Sequence, residues 1–362
     1  MAGSSHVDKL KLLSKEMNVW RSEKVNIFEG GCPVHGLVAY DPSGTLDPYK
    51  FFQRATRPED VKIKILFCGI CHTDLHKVRN EWGDFKYPLV PGHEIVEVVM
   101  EIGSKVPGSK FKVGQQVGVG CMVHSCLSCK ECKLGVEQYC NKVVWTYDSV
   151  NFVDGSITKG GYSTIIIVDH KFVLKMPTNL PLDAAAPLLC AGITVYSPMK
   201  YHQMDVPGKH FGVVGLGGVG HMAVKFGKAF GMKVTVFSRS PSKENEAQEV
   251  LGADNFIVSK DPEKMKMGTS LDLEVLICVA AAHPSDPYLS TSKINDSLVV
   301  VGNPDKPLSI NALSLINAQP DVGGSGIGGF NETQKMVDFC GKHNITCMIE
   351  KIPMSYLNTA ME

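Results

Sequence analysis

The chain has 362 residues, 44% of them apolar and 20% charged, and its formal net charge at pH 7 is zero. That length suits two domains better than one small core. The balanced charge excludes the basic excess of a nucleic-acid binder or of a protein held to anionic membranes, and no apolar run reaches the ~20 residues that span a bilayer.

The opening stretch, MAGSSHVDKLKLLSKEMNVWRSEKVNIF, interleaves charges with Leu and Val and lacks the apolar centre of a secretory signal. Leu10, Leu13 and Met17 fit a short amphipathic helix, and a disordered extension over residues 1–34 fits as well. The expectation is a cytoplasmic protein. From about residue 35 to 175, runs such as VKIKILFCGI, GHEIVEVVMEIGSKV, VGQQVGVGCMV and YSTIIIVDHKFVLKMP are broken by Gly, Pro and Asp. This reads as a β-rich, barrel-like domain. At LPLDAAAPLLCAGITVYSPM the texture turns helical. The strand HFGVVGLG, the helix GHMAVKFGKAFG and the strand KVTVFS follow. The alternation continues through NFIV, LEVLICV and DSLVVVG, the pattern of a parallel α/β sheet. The tail from about 325 carries one helical segment, NETQKMVDFCGKHN, and little sheet signal.

The strand-to-helix turn in VVGLGGVGHM holds Gly215-x-Gly217-x-x-Gly220, with Leu216, Gly218 and Val219 between. Such a turn binds a dinucleotide. The first glycine permits a tight turn, the second admits the pyrophosphate to the backbone, and the third lets the helix pack closely. The next strand ends in Ser238, Arg239 and Ser240, with Lys243 nearby, where an NAD site would have Asp or Glu. Hydroxyls and cations suit a 2′-phosphate, which predicts NADP(H).

Twelve cysteines in a chain without a secretory signal argue for metal binding over a disulfide framework. Cys126, Cys129, Cys132 and Cys140 follow a Cys-x2-Cys-x2-Cys-x7-Cys spacing. Four thiolates match tetrahedral zinc and leave no coordination position open, so this site is expected to be structural. Ferredoxin-type runs usually end in Cys-Pro, whereas Cys140 precedes Asn141. Cys32, Cys68, Cys278, Cys340 and Cys347 read as small buried apolar residues. A dispersed set, Cys71 in CGICHTDLH, His93 and Glu94 in PGHE, and Cys190 in PLLCAG, offers two thiolates and one imidazole with a vacancy for water or a carbonyl oxygen. Glu94 fits an outer-shell role or an exchangeable fourth ligand.

These stretches, with YPLVPGHEIV, EQYCNK and GSGIGGFNETQKM, resemble the zinc-dependent medium-chain alcohol dehydrogenases. The likeness is greatest to the plant cinnamyl alcohol dehydrogenase branch with its alkaloid- and monoterpenoid-pathway relatives, and it covers about residues 35 to 362. It implies a GroES-like catalytic domain made of residues 35–187 and 325–362, with a Rossmann NADP-binding domain over 188–324. It also implies a homodimer, a catalytic zinc on Cys71, His93 and Cys190, and a structural zinc on the quartet. A proton relay would run from the reacting oxygen through the Thr73 hydroxyl and the cofactor ribose to His76, with Glu81 as its last acid. The cofactor contacts it implies are Thr73, His76, Thr194, the glycine loop, the Ser238 to Lys243 group, Gly302, Ser325, Gly326 and Ile327.

The chain departs from that pattern in three places. Glu97 stands where relatives usually have Gly after GHEIV, so the strand is expected either to shift or to turn the carboxylate outward. Gly326 replaces the bulky aromatic of the lignin enzymes, while Trp145 remains as one aromatic wall. This predicts a wider pocket, suited to terpenoid or alkaloid aldehydes. The chain also ends at SYLNTAME, before the closing strand of the family, so a less stable catalytic domain is expected.

The leading expectation is NADPH-dependent interconversion of an α,β-unsaturated aldehyde and its allylic alcohol. Iminium or conjugated C=C reduction is the second reading, and a non-catalytic NADPH-binding protein the third.

Overall fold

Alternation drives the first half of the chain. Val61 and Ile63 are fully buried, while the alternating Lys62 and Lys64 are half-buried and exposed, the period of a half-buried strand. The computed structural model describes residues 31–83, 85–268, 273–279, 283–289, 296–304, 307–318 and 320–362, with the backbone of Arg21–Ser22. Leu10, Leu13 and Met17 lie outside the described residues. Cys32–Val38 (β1) and Asp47–Gln53 (β2) pair antiparallel, and Arg21–Ser22 joins β2 in parallel. A five-stranded antiparallel sheet follows, made of Asp60–Cys68 (β3), Ile95–Ile102 (β4), Gln116–Val119 (β5), Ile165–Asp169 (β6) and Leu174–Lys175 (β7). Its order is β7-β5-β4-β3-β6, and Val61, Ile63, Ile95, Val117 and Val168 form its core.

The helix Ala191–Tyr201 (α2) leads out of this domain; α1, His72–Val78, lies between β3 and β4. Six parallel strands follow: His210–Val214 (β8), Lys233–Ser238 (β9), Asn255–Val258 (β10), Glu274–Ile277 (β11), Ser297–Val300 (β12) and Asp321–Gly324 (β13). Their order, β10-β9-β8-β11-β12-β13, is that of a doubly wound dinucleotide-binding sheet. The crevice at the strand ends between β8 and β11 is where such sheets take their ligand. Gly218–Ala229 (α3) and Phe330–His343 (α4) pack with α2 through Tyr196, Phe226, Phe230 and Phe339, whose rings lie 5.1–6.3 Å apart. Burying a phenylalanine such as Phe226 stabilises by about 1.5–3 kcal/mol.

The strands and helices expected from the sequence are present. β13 was not legible, because its DVGG offers no β-branched or aromatic run. Glu97 does not turn outward: it is fully buried in β4, opposite Ile65 of β3 and Val117 of β5, with no hydrogen-bond partner for either carboxylate oxygen among the described residues. The β3–β4 ladder slips beside it, between Ile65 and Phe67. Of the scattered cysteines, Cys340 and Cys347 are buried, while Cys32, Cys68 and Cys278 are half-buried. Among the described residues no single helix is long and apolar enough to cross a membrane. The apolar bent pair Leu182–Leu189 and Ala191–Tyr201 is mostly buried in the core.

Candidate active site

Cys71, His93, Glu94 and Cys190 come from three separate places in the chain. Cys71 begins α1, His93 and Glu94 immediately precede β4, and Cys190 sits at the 51° bend between Leu182–Leu189 and α2. Their ligand atoms all lie within 4.8 Å of one another. His93 Nε2 is 3.3 Å from Cys190 Sγ, which is 4.0 Å from Cys71 Sγ. Two sulfurs, one imidazole nitrogen and a carboxylate oxygen at this spacing fit a zinc ion. Burial alone would lower the His93 pKa, but the Asp74 carboxylate and the neighbouring thiols raise it well above its ordinary value. Burial holds the Glu94 carboxyl well above the usual carboxylate range.

Asp74 orients this set, and the sequence reading did not single it out. It is fully buried and accepts hydrogen bonds from His93 Nδ1 (3.0 Å), Gly92 N (3.0 Å), Cys71 N (3.1 Å) and Tyr162 OH (3.1 Å). Four donors meet the capacity of one carboxylate. Burial pushes its pKa up, yet His93 and these donors hold it below the usual value. The contact to Nδ1 fixes the ring so that Nε2 turns to the metal position. The signal was present in Cys71-x-x-Asp74, a capping-box spacing at the start of α1. A second unassigned residue, Cys121, borders the cavity. Its thiol is the largest influence on Cys190, whose pKa is pushed up to about 12.

Thr73, His93, Cys190, Thr194, Trp145, Gly326 and Ile327 all line one cavity of about 530 Å³. His76 is not among the lining residues; it is buried, hydrogen-bonded through Nδ1 to Glu81 and stacked at 4.9 Å on Trp82, which does line the cavity. His76 Nε2 is buried without a partner among the described residues.

The glycine loop tests the fit of a dinucleotide. Gly215 has φ +91° and a Cβ there would meet Val279 at 2.5 Å, so the turn after β8 requires glycine. A Cβ at Gly220 would lie 1.9 Å from the Gly215 carbonyl oxygen, the close helix approach expected of the third glycine. A Cβ at Gly217 or Gly218 would meet nothing within 4 Å. The protein leaves that face clear at the N-terminus of α3, where a pyrophosphate fits. Leu216 and Val219 belong to the same turn, and Gly302 and Ser325 lie just past β12 and β13, at the same end of the sheet. At the end of β9, Ser238 Oγ accepts from Ser240 N at 3.2 Å and Arg239 is exposed. Lys243 is ion-paired with Glu246, so Arg239 is the clearer cation at this edge.

The cysteine quartet forms a separate cluster, its sulfurs also within 4.8 Å of one another, and none of the cysteines is in a disulfide. Backbone N–H groups of Cys129 and Lys142 donate to Cys126 and Cys140 sulfurs at 3.3 Å each. Backbone hydrogen bonds draw the Cys126 thiol down to about 6, toward the thiolate a metal needs. The lobe also reaches the cavity. Tyr139 OH accepts from Gly326 N at 3.4 Å, and Glu137 accepts from Phe330 N at 3.0 Å.

The described geometry matches known proteins over nearly the whole chain. The family model for the alcohol dehydrogenase GroES-like domain matches residues 57–178, and that for zinc-binding dehydrogenases matches residues 218–342. A probable mannitol dehydrogenase of Medicago sativa is 55% identical, and the 8-hydroxygeraniol dehydrogenase of Catharanthus roseus is 54% identical. In both alignments 90% of each chain is covered. A cinnamyl alcohol dehydrogenase from Sorghum bicolor superposes with a TM-score of 0.88 at 50% identity, covering 91% of this chain and 93% of that one. The cinnamyl alcohol dehydrogenase-type enzyme of Helicobacter pylori, solved with NADP(H), gives 0.85 at 39%, covering 91% and 94%. With its two zinc-ligand clusters, its glycine-loop sheet and these relatives, the chain belongs to the zinc-dependent alcohol dehydrogenases, in their cinnamyl alcohol dehydrogenase-like branch.

Proposed function

We propose that the enzyme uses NADPH to interconvert an α,β-unsaturated aldehyde and its allylic alcohol, on a substrate wider than a lignin monomer. The observation that carries this reading is the Cys71, His93 and Cys190 trio, of which His93 and Cys190 line a cavity of about 530 Å³ walled by aromatic side chains. Zinc held by the trio supplies Lewis acidity to the carbonyl, and NADPH supplies the hydride. Asp74 keeps His93 oriented. The Thr73 hydroxyl borders the same cavity and is suited to exchange a proton with the reacting oxygen. The His76–Glu81 pair is suited to take or return that proton at the far end of the relay. The quartet would hold a second, structural zinc.

Arg239 with Ser238 and Ser240, and the absence of a carboxylate among them, support NADPH over NADH. Gly326 supports the wide pocket: a Cβ there meets nothing within 4 Å, so the space an aromatic wall would fill is open. The trio together with Thr73 and His76 favours carbonyl reduction over iminium or conjugated C=C reduction. The domain division near 188 and 325, the homodimer and the cytoplasmic location belong to the same proposal.

Cys190→Ala tests it. Turnover of enals should vanish while NADPH fluorescence on binding persists; unchanged turnover refutes the zinc role. An alcohol product and two zincs per chain support the reading, and a saturated aldehyde or reduced iminium with one zinc replaces it. NADPH binding without turnover on any aldehyde leaves a non-catalytic protein.

A further inference from the structure

The cysteine lobe supplies more to the substrate cavity than the Tyr139 bond to Gly326. Gln138, between Glu137 and Tyr139 in a single 3-10 turn, also lines it. The residue is 8% exposed, and its Oε1 is buried without a hydrogen-bond partner among the described residues. Polar neighbours in the lining are engaged elsewhere. Thr146 Oγ1 donates to the Gly120 carbonyl, Lys77 is paired with Asp148, and Tyr139 OH accepts from Gly326 N. Asn303 is exposed and keeps its water. Trp82 Nε1 lines the same cavity and lacks a partner too, a donor that calls for an oxygen. The turn that carries Gln138 is anchored on both sides, through Glu137 to Phe330 N at 3.0 Å and through Tyr139 to Gly326 N at 3.4 Å. The amide is thus held at an otherwise mostly apolar wall, and an unsatisfied group there bears the full cost of its lost hydration.

We propose that Gln138 is a specificity-determining residue, and that the preferred substrate is an enal carrying a hydroxyl of its own, so that the reduced product is a diol. The proposal rests on the aldehyde-reducing reading above and narrows its substrate class. A hydroxyl both donates and accepts, so it completes the amide whichever end of that amide turns to the cavity. A substrate that ends in a methyl group instead leaves the amide unsatisfied in a dry wall, and a site built for a hydroxyl rejects such an analogue. Gly326, beside the Tyr139 hydroxyl, leaves open the space that a chain reaching toward the lobe requires. The bond forms away from the reacting carbon and is equally strong in ground and transition states. Its loss should therefore appear mainly in KM.

The test uses an isosteric pair of enals with NADPH, one ending in a hydroxyl and the other in a methyl group. An apolar cavity by itself favours the methyl compound, so preference for the hydroxyl requires a hydrogen-bonding partner. Wild type should favour the hydroxyl compound in kcat/KM by about fivefold or more. Gln138→Met, close in shape but without the amide, should reverse that preference, mostly through KM, with the zinc content of the chain unchanged. Gln138→Glu keeps an acceptor and should retain the preference; it decides the question if Gln138→Met does not fold. A wild-type preference for the methyl compound, a ratio that Gln138→Met leaves unchanged, or a Gln138→Glu variant that prefers the methyl compound overturns the proposal while the aldehyde-reductase reading stands. If wild type turns over neither compound nor any other aldehyde, the reductase reading fails. Titration of the same pair into the NADPH complex then decides Gln138 by itself: tighter binding of the hydroxyl compound that is lost in Gln138→Met supports it, and equal binding of the two refutes it.

Discussion

Replacing Glu97 with leucine should make the protein more stable. The side chain is fully buried, and neither carboxylate oxygen has a partner among the described residues. An orphaned buried polar atom costs about 1–3 kcal/mol, so two cost about 2–6 kcal/mol. Leucine is near glutamate in volume, and such a swap brings a repacking penalty of about 1 kcal/mol. The net gain for Glu97→Leu is therefore about 1–5 kcal/mol. The gain must also depend on pH. Burial raises the Glu97 carboxyl well above its ordinary value, whereas the unfolded chain titrates near ~4.3. A group with a raised folded pKa contributes most below the unfolded value and loses that contribution as pH rises toward the folded one. Above about pH 4.3 the wild type thus loses about 1.4 kcal/mol per unit relative to a variant without the carboxyl. Glu97→Gln keeps two orphaned polar atoms but cannot ionise, so its stability relative to wild type should start lower than that of Glu97→Leu and rise with pH in the same way. Urea unfolding of the three proteins at several pH values, with zinc and NADPH fixed, measures this. A leucine variant no more stable than wild type, or a gap that stays constant from about pH 5 to 8, would refute the reasoning.

The other predictions concern the site. Asp74→Asn should weaken zinc binding at the Cys71–His93–Cys190 position by about 10–100-fold while sparing the quartet, read by metal competition; equal loss at both sites counts against an orienting role. Arg239→Ala with Ser240→Asp should shift kcat/KM toward NADH by about tenfold or more, and no shift would put the 2′-phosphate elsewhere. Gly326→Phe should fold normally and depress turnover of bulky aldehydes more than small ones; equal effects end the wide-pocket argument.

The cysteine quartet was legible because four thiols have few alternative uses at that density, whereas Cys71, His93, Glu94 and Cys190, dispersed in sequence and gathered within 4.8 Å in the fold, were legible from residue type together with the family resemblance. The doubly wound sheet was legible because its strands are short apolar runs. What escaped was set by direction. Asp74 reads locally as an acid in the first turn of a helix, a common stabilising choice, and only the third dimension brings His93 onto it. Glu97 left two orientations open, because IVEVVMEI is too apolar throughout for period-2 alternation to assign its faces. Cys121 follows a glycine-rich strand end and carries no spacing signal of its own.

The contacts of the cysteine lobe with the 326–330 segment have a consequence for the order in which the protein acquires its properties. They join residues 187 and 193 positions apart in the chain, the Tyr139–Gly326 and Glu137–Phe330 bonds. Contacts between such distant segments form only after the intervening chain has closed its own loops. The cysteine quartet and the glycine loop each lie in a compact stretch and can mature early. Discrimination between substrates belongs to the finished molecule, since its wall is assembled from segments nearly two hundred positions apart.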